Sequence, residues 1–345
     1  MRKSNNNTIL NSPLGVGGYI MKKNIAIVAG GDSSEVVVSL KSAAGLYSFM
    51  DKERYNLFIV TIVGHTWQVE WSDAEKIAID KNDFSFTRNG EKTVFDFAYI
   101  TIHGTPGENG ILQGYFELIG LPYSCCGVLA AAITFNKFTC NQYLKGFGVK
   151  VAESLVLRAG QTVSDEVVAQ KIGFPCFVKP NVGGSSFGVT KVKSIEQVQP
   201  AVAKAFAEGE EVMIEAFLSG TEITCGVYKT KTKTQVLPVT EVVSENEFFD
   251  YDAKYKGQVQ EITPARISDS LTERVQKLTS AIYDILGCKG IVRIDYIISE
   301  GDVINLLEVN TTPGMTATSF IPQQVAAAGL DIKEVMTEII ENELI

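Results

Sequence analysis

Residues 290–316, GIVRIDYIISEGDVINLLEVNTTPGMT, hold two apolar runs on either side of Gly301-Asp302. Gly-Asp suits the centre of a two-residue hairpin turn, which would make the runs antiparallel neighbours. In that register Asp295 stands opposite Glu308. Strand side chains alternate, so Asn310 shares the face of Glu308 and Arg293 shares the face of Asp295. Three oxygen-bearing side chains and one guanidinium converge where a buried ribbon would otherwise carry Val or Ile. Two readings fit: a buried ion-pair cluster of Arg293 with Asp295 and Glu308, or a hard-oxygen cation site. Burying charges costs several kcal/mol per ion unless they are paired or bind metal. Asn310 brings no charge to a pair but does bring a carbonyl oxygen, which favours Mg²⁺ or Mn²⁺ bridging substrate phosphates.

A phosphate-bearing ligand needs a cradle, and KPNVGGSSFG at 179–188 offers one. A lysine closes a strand, then Gly183, Gly184, Ser185, Ser186 and Gly188 leave backbone N–H groups free to wrap an anion. A flexible hairpin tip would look the same. Lys137 and Lys179 can supply two point charges for a polyphosphate, although each alone reads as a solvated lysine. No Walker sequence occurs, and the AGG after the first strand is not a dinucleotide fingerprint, so P-loop and NAD-type folds lose support.

Upstream, NIAIVAGG, YNLFIVTIV and FDFAYITIHG are near-continuous apolar runs bounded by turn residues, as in a parallel sheet covered on both faces. Segments 39–50 and 111–120 read as the intervening helices, giving an α/β domain over 21–121. GVLAAAITFNKFTCNQYLKGFG reads as one long helix stopped by Gly146 and Gly148. CFVKP, VMIEAFL, EITCGVYK and QVLPVTEVV follow as four antiparallel strands. Residues 244–262 read as a long surface loop, of a length that is usually functional or disordered, and a helix over 270–286 and a helical tail after Asp331 complete the chain.

The 345 residues carry a formal net charge of −9 with 45% hydrophobic residues and no run of Lys or Arg. That excludes a disordered chain and disfavours nucleic acid or an anionic membrane as partner. Six cysteines without a C-x-x-C pair and only two histidines give zinc little to bind and suggest reduced, cytoplasmic thiols. Residues 1–20 lack the apolar core of a signal peptide and read as a disordered extension, and no stretch approaches the roughly 20 apolar residues of a membrane span.

GGDSSEVVVSL, IHGTPGENGILQGYFELIGLPYS, FVKPNVGGSSFGV, FFDYDAKY and the hairpin occur in the order seen in D-alanine–D-alanine ligases of the ATP-grasp superfamily. The chain resembles that family from about Lys23 to its end. Small departures occur at Val36 and Val37, and at Asn109 where Asp is frequent. The resemblance implies an N-terminal Rossmann-like domain followed by a two-lobed ATP-grasp fold with mixed and antiparallel sheets, its central lobe at 122–210 and its C-terminal lobe at 211–345. It implies ATP-dependent joining of two D-alanines through a D-alanyl phosphate, for peptidoglycan precursors, by a cytoplasmic homodimer.

In that frame Lys137 and Lys179 grip ATP beside Ser185, Ser186 and Lys254, with adenine at the strand end Glu215–Leu218 and ribose at Glu222. Asp295, Glu308 and Asn310 hold two Mg²⁺ or Mn²⁺ ions. Glu35 takes the first substrate's ammonium with His103 beside it, and Lys254 and Ser319 take the second carboxylate. Arg293 and the Gly314 N–H stabilise the oxyanion, and Tyr255 closes the 244–262 loop, hydrogen-bonded with Glu35 and Ser185. A ligase using another acceptor such as D-lactate, and a nucleotide sensor without turnover, are the alternatives.

Overall fold

The computed structural model describes residues 21–184, 188–244 and 259–344. The expected extension at 1–20, the loop at 245–258 with Lys254 and Tyr255, and the pair Ser185 and Ser186 lie outside the described residues. The N-terminal runs form β1 (Lys23–Gly30), α1 (Val36–Phe49), β2 (Tyr55–Val63), β3 (Thr66–Glu70), β4 (Lys76–Asp80), β5 (Ser85–Arg88), β6 (Glu91–Val94), β7 (Phe97–Ile100) and α2 (Ile111–Ile119). β1 pairs in parallel with β2 and β7, as the continuous apolar runs require. The all-parallel expectation is corrected at one edge: β3 to β6 extend the seven-stranded sheet by antiparallel meander. These strands are only four or five residues long and none has more than two buried residues, so they lack the continuous apolar run of a buried strand.

The expected long helix is two helices, α3 (Val128–Phe135) and α4 (Lys137–Lys145). Asn136 breaks it with extended backbone, and its side chain accepts from Thr139 N to cap α4. Long-range partners fix the break: Lys137 N donates to Asn181 O at 3.1 Å, Phe138 N donates to Asn181 Oδ1 at 2.8 Å, and Asn136 Nδ2 donates to Glu211 at 3.0 Å. The start of α4 is thereby pinned beside the glycine-rich segment.

The four expected strands divide between two sheets. β8 (Ser154–Arg158), β9 (Cys176–Pro180), β10 (Thr190–Val192) and β11 (Glu211–Ala216) form one in the order β10-β9-β11-β8, flanked by α5 (Asp165–Lys171) and α6 (Val198–Phe206). The second contains β12 (Thr221–Lys229), β13 (Thr234–Val236), β14 (Thr240–Ser244), β15 (Val259–Ile262), β16 (Ile291–Ser299) and β17 (Val303–Asn310). QVLPVTEVV is therefore two strands, not one, interrupted around Pro238, which has no N–H for a ladder. The end of the expected 244–262 loop is ordered as β15. Helix α7 (Asp269–Ile285) covers this sheet, and α8 (Phe320–Ala327) and α9 (Ile332–Glu343) follow. Both helices share a core with the N-terminal sheet: Ile25, Leu46, Met315, Ile321, Met336 and Ile340 belong to one buried cluster.

The β16–β17 hairpin reaches the expected pairing by an unexpected route. Ser299 pairs with Val303, so the turn has three residues, 300–302, with Gly301 and Asp302 at positive φ. That register alone would set Leu307 opposite Asp295. A bulge between Asp295 and Tyr296 leaves Leu307 as the extra residue and restores Asp295 to Glu308 and Arg293 to Asn310.

Candidate active site

The four polar residues of the hairpin lie together. Arg293 grips Asp295 in a fork, Nε to Oδ1 at 2.9 Å and Nη2 to Oδ2 at 2.7 Å, and stands 3.9 Å from Glu308 Oε1. Asn310 Nδ2 donates to Asp295 at 3.1 Å and to Glu308 at 3.4 Å. Burial alone would lower the Arg293 pKa, but the Asp295 carboxylate, by charge and hydrogen bond, outweighs it and raises the value, so the guanidinium stays charged. Thr224 on β12 also donates to Asp295, and Phe320 lies under the guanidinium with its ring centroid 5.3 Å away. Sequence reading missed both, because each comes from another element.

The ion-pair reading of this face is thus observed. It does not exclude a cation: the set keeps two carboxylates and an amide, all hard-oxygen groups, and Glu308 remains one-third exposed. Among the described residues no three His, Cys, Asp or Glu side chains cluster for a metal, so Asn310 has to be the third ligand. As placed, its amide offers nitrogen to the carboxylates. A half-turn of that amide presents oxygen instead, and the donor set then fits Mg²⁺ or Mn²⁺.

Lys179 on β9 makes a 2.6 Å ion pair with Glu215 on β11, with side chains 13% and 4% exposed. Asn141 on α4 reaches the same carboxylate at 3.4 Å. Lys137 opens α4 and its ammonium donates to Gly183 O, which places both expected phosphate lysines around the glycine-rich segment. Helix α4 also packs Cys140 and Leu144 into one core with Leu306 and Val309 of β17. It therefore ties the Lys179 sheet to the Arg293 sheet. Leu218 follows β11, and Glu222 on β12 pairs with Ile297 and Val242. Both are partly exposed.

Glu35 precedes α1, and its carboxylate lies against Gly184, where a Cβ would fall 2.7 Å from Oε2. The N-terminal sheet thus reaches the glycine-rich segment. His103 follows β7, at the carboxyl end of a parallel strand where α/β sites form. It is buried, with Nε2 3.4 Å from Ser42 Oγ. Ser42 Oγ in turn accepts from Met315 N at 3.3 Å, next to Gly314. Ser319 precedes α8 and its Oγ accepts from Thr316 N at 3.1 Å, closing the same loop. Sequence reading also passed over Glu108. Burial pushes its carboxyl up to about 7 against hydrogen bonds from Gly104 N and Thr312, with Glu35 raising and Lys137 lowering it further.

An N-terminal α/β sheet followed by two mixed lobes, with lysines on one and an Arg–Asp–Glu–Asn face on the other, defines an ATP-grasp carboxylate–amine ligase. Solved structures agree: a D-alanyl-alanine synthetase A from Vibrio cholerae superimposes with TM-score 0.84 at 28% identity, over 94% of this chain and 98% of that one. A D-alanine–D-alanine ligase from Bacillus anthracis complexed with ATP does so with TM-score 0.74 at 29% identity, over 93% and 97%. The family models for the D-ala D-ala ligase N-terminus and C-terminus match residues 24–126 and 143–341. The D-alanine–D-alanine ligase of Bacteroides fragilis is 74% identical over 323 residues, covering 94% of this chain and all of the relative. That of Phocaeicola vulgatus is 72% identical over the same length. The chain belongs to the D-alanine–D-alanine ligase family.

Proposed function

We propose that this chain joins two D-alanine molecules at the expense of ATP, releasing ADP and phosphate, to supply the dipeptide for cell-wall synthesis in the cytoplasm. The observation that carries the reading is the bulged hairpin, which turns Arg293, Asp295, Glu308 and Asn310 onto one face. The 74% identity to a D-alanine–D-alanine ligase supports it. In this reading Lys137 and Lys179 hold the ATP phosphates, the Glu215–Leu218 segment meets adenine and Glu222 meets ribose. Asp295, Glu308 and Asn310 would hold two magnesium or manganese ions, whose charge would offset that of the phosphates. Glu35 orients the first ammonium beside His103. The carboxylate of that first D-alanine attacks the γ-phosphorus of ATP and ADP leaves, giving D-alanyl phosphate; the free amine of a second D-alanine then attacks the acyl carbon and phosphate leaves.

That attack builds negative charge on the carbonyl oxygen, and in this reading the Arg293 guanidinium and Gly314 N–H stabilise it. Arg293 suits the task because Asp295 and Phe320 fix its plane. Ser319 and Lys254 hold the second carboxylate, and Tyr255 with Ser185 closes the site against water. The division of labour follows residues 21–121 for the amino acid, 122–210 for nucleotide and 211–345 for metal and phosphoryl transfer. A homodimer is supported by apolar side chains left outside: Ile111 and Leu118 on α2 and Leu129 on α3 are 61%, 88% and 73% exposed. Light scattering behind gel filtration tests it, with a monomer at micromolar concentration counting against.

Phosphate release with D-alanine against L-alanine, D-serine and D-lactate tests the reaction. D-serine is included because a VanG D-Ala:D-Ser ligase from Enterococcus faecalis superimposes with TM-score 0.81 at 28% identity, over 92% of this chain and 98% of that one. Release with D-alanine alone is the expected result. Release favouring D-serine or D-lactate would assign another acceptor, and none with any would favour a nucleotide sensor.

A further inference from the structure

Glu108 is a partly buried carboxylate to which the reaction above gives no work. Its two oxygens are divided between two distant stretches of chain. Oε2 accepts from Gly104 N at 2.7 Å, and Oε1 accepts from Thr312 Oγ1 at 2.7 Å across 204 positions of sequence. Gly104 adjoins His103, and Thr312 lies between Asn310 and Gly314. The same Thr312 hydroxyl is 3.3 Å from Ile102 O, so it sits between two acceptors of the segment that joins β7 to α2. On the far side of Gly314, Met315 N donates to Ser42 Oγ. The peptide bearing Gly314 is therefore held to the N-terminal domain on both sides, by Glu108 of the β7–α2 loop before it and by Ser42 of α1 after it.

We propose, on the ligase reading above, that Glu108 is a positioning residue: its carboxylate straps Thr312 to Gly104 and so sets the Gly314 N–H and Asn310 against the His103 loop. What the strap needs is two polar contacts and not a negative charge. A glutamine can make both, with Oε1 accepting from Gly104 N and Nε2 donating to Thr312 Oγ1 while that hydroxyl donates to Ile102 O. Proton abstraction from the incoming ammonium, the other task a carboxyl here could be given, would fail in the glutamine variant. The two roles thus separate cleanly.

The test uses the full chain and the variants Glu108→Ala, Glu108→Gln and Thr312→Val, read by steady-state kinetics and by amide hydrogen exchange over 103–107 and 311–316. Glu108→Ala should lower kcat by about 10- to 100-fold with KM for ATP nearly unchanged, the scale of an ångström misplacement, and raise exchange about tenfold in both segments only. Glu108→Gln should stay within about threefold of wild type in both readouts, since the geometry is kept. Thr312→Val, which removes the same contact and keeps the volume, covers the case in which the alanine variant does not fold. Combining it with Glu108→Ala should cost no more than either alone. A glutamine variant as inactive as alanine, or exchange unchanged in both Glu108→Ala and Thr312→Val, overturns the strap. A wild-type chain without D-alanine-dependent turnover would remove the ligase reading, while exchange would still decide the strap.

Discussion

Replacing Gly45 by alanine sets two effects of opposite sign against each other. Gly45 lies inside α1, where alanine is favoured over glycine by about 1 kcal/mol on helix propensity alone. A Cβ there would, however, fall 2.2 Å from Met315 O and 3.2 Å from Met315 C. Both are backbone atoms with no rotamer to escape into, so the 314–316 peptide has to retreat by about 1 Å. Overpacking of that kind costs about 1–3 kcal/mol, and the upper end applies to a backbone collision. We expect a net loss of about 1–2 kcal/mol, a fall of several degrees in Tm. We also expect a drop in kcat of up to about 100-fold, because the displaced peptide carries Gly314. Gly114 in α2 supplies the control: a Cβ there meets only Val128 Cγ2 at 3.8 Å, an ordinary contact. Gly114→Ala should raise Tm and leave turnover alone. Differential scanning fluorimetry and phosphate release on both variants decide the matter. A Gly45→Ala protein that melts higher than wild type with unchanged kcat would refute the close approach of α1 to the Met315 loop.

Glu308→Gln, which removes charge and keeps volume, should nearly abolish turnover with Tm within a few degrees of wild type; wild-type activity would remove Glu308 from the phosphoryl-transfer site. Lys179→Met strands Glu215 in a buried setting and should cost about 3–5 kcal/mol, measured by urea titration, with a loss below about 1 kcal/mol counting against a buried pair. Burial holds the Glu108 carboxyl at about 7, above its usual 4.5. The folded state therefore binds that proton more tightly than the unfolded chain, and the carboxyl's contribution to stability falls as pH rises from about 4.5 through about 7. The Tm advantage of Glu108→Gln over wild type should accordingly be larger at pH 8 than at pH 5, and a constant difference would show an unshifted carboxyl. Tyr255 carries no charge to repel an incoming ammonium, whereas an imidazolium would. Tyr255→His should thus let D-alanyl-D-lactate appear at the acid end of about pH 6–9, and mass spectrometry finding that product from wild type near neutral pH would end the argument.

Local pattern in the sequence was enough for β1, β2 and β7, for α1, α2 and α7 and for the hairpin, because continuous apolar runs and turn residues act over a few positions. It was also enough to bring Asp295 opposite Glu308, but not to find the reason. The actual turn is one residue longer than Gly301-Asp302 suggests, and only the bulge at Leu307 restores the pairing. Nothing in the local run announces that bulge. The break at Asn136 belongs to the same class: its partners Asn181 and Glu211 lie 43 to 75 positions away, and without them the apolar pattern continues as helix. Short exposed strands β3 to β6 left too weak a periodicity to read. The residue types of the candidate site were visible in the sequence as acids, lysines and glycines at suggestive spacing. The contacts that orient them were not. Thr224 on Asp295, Phe320 under Arg293, Glu108 on Thr312 and Gly45 against Met315 join elements 27 to 270 positions apart. Sequence alone determined which chemical groups each strand end carries, since that depends on composition and local alternation. Which of them touch was decided by tertiary packing, because a hydrogen bond or a steric contact fixes its partner to within an ångström and no propensity reaches across hundreds of residues to do so.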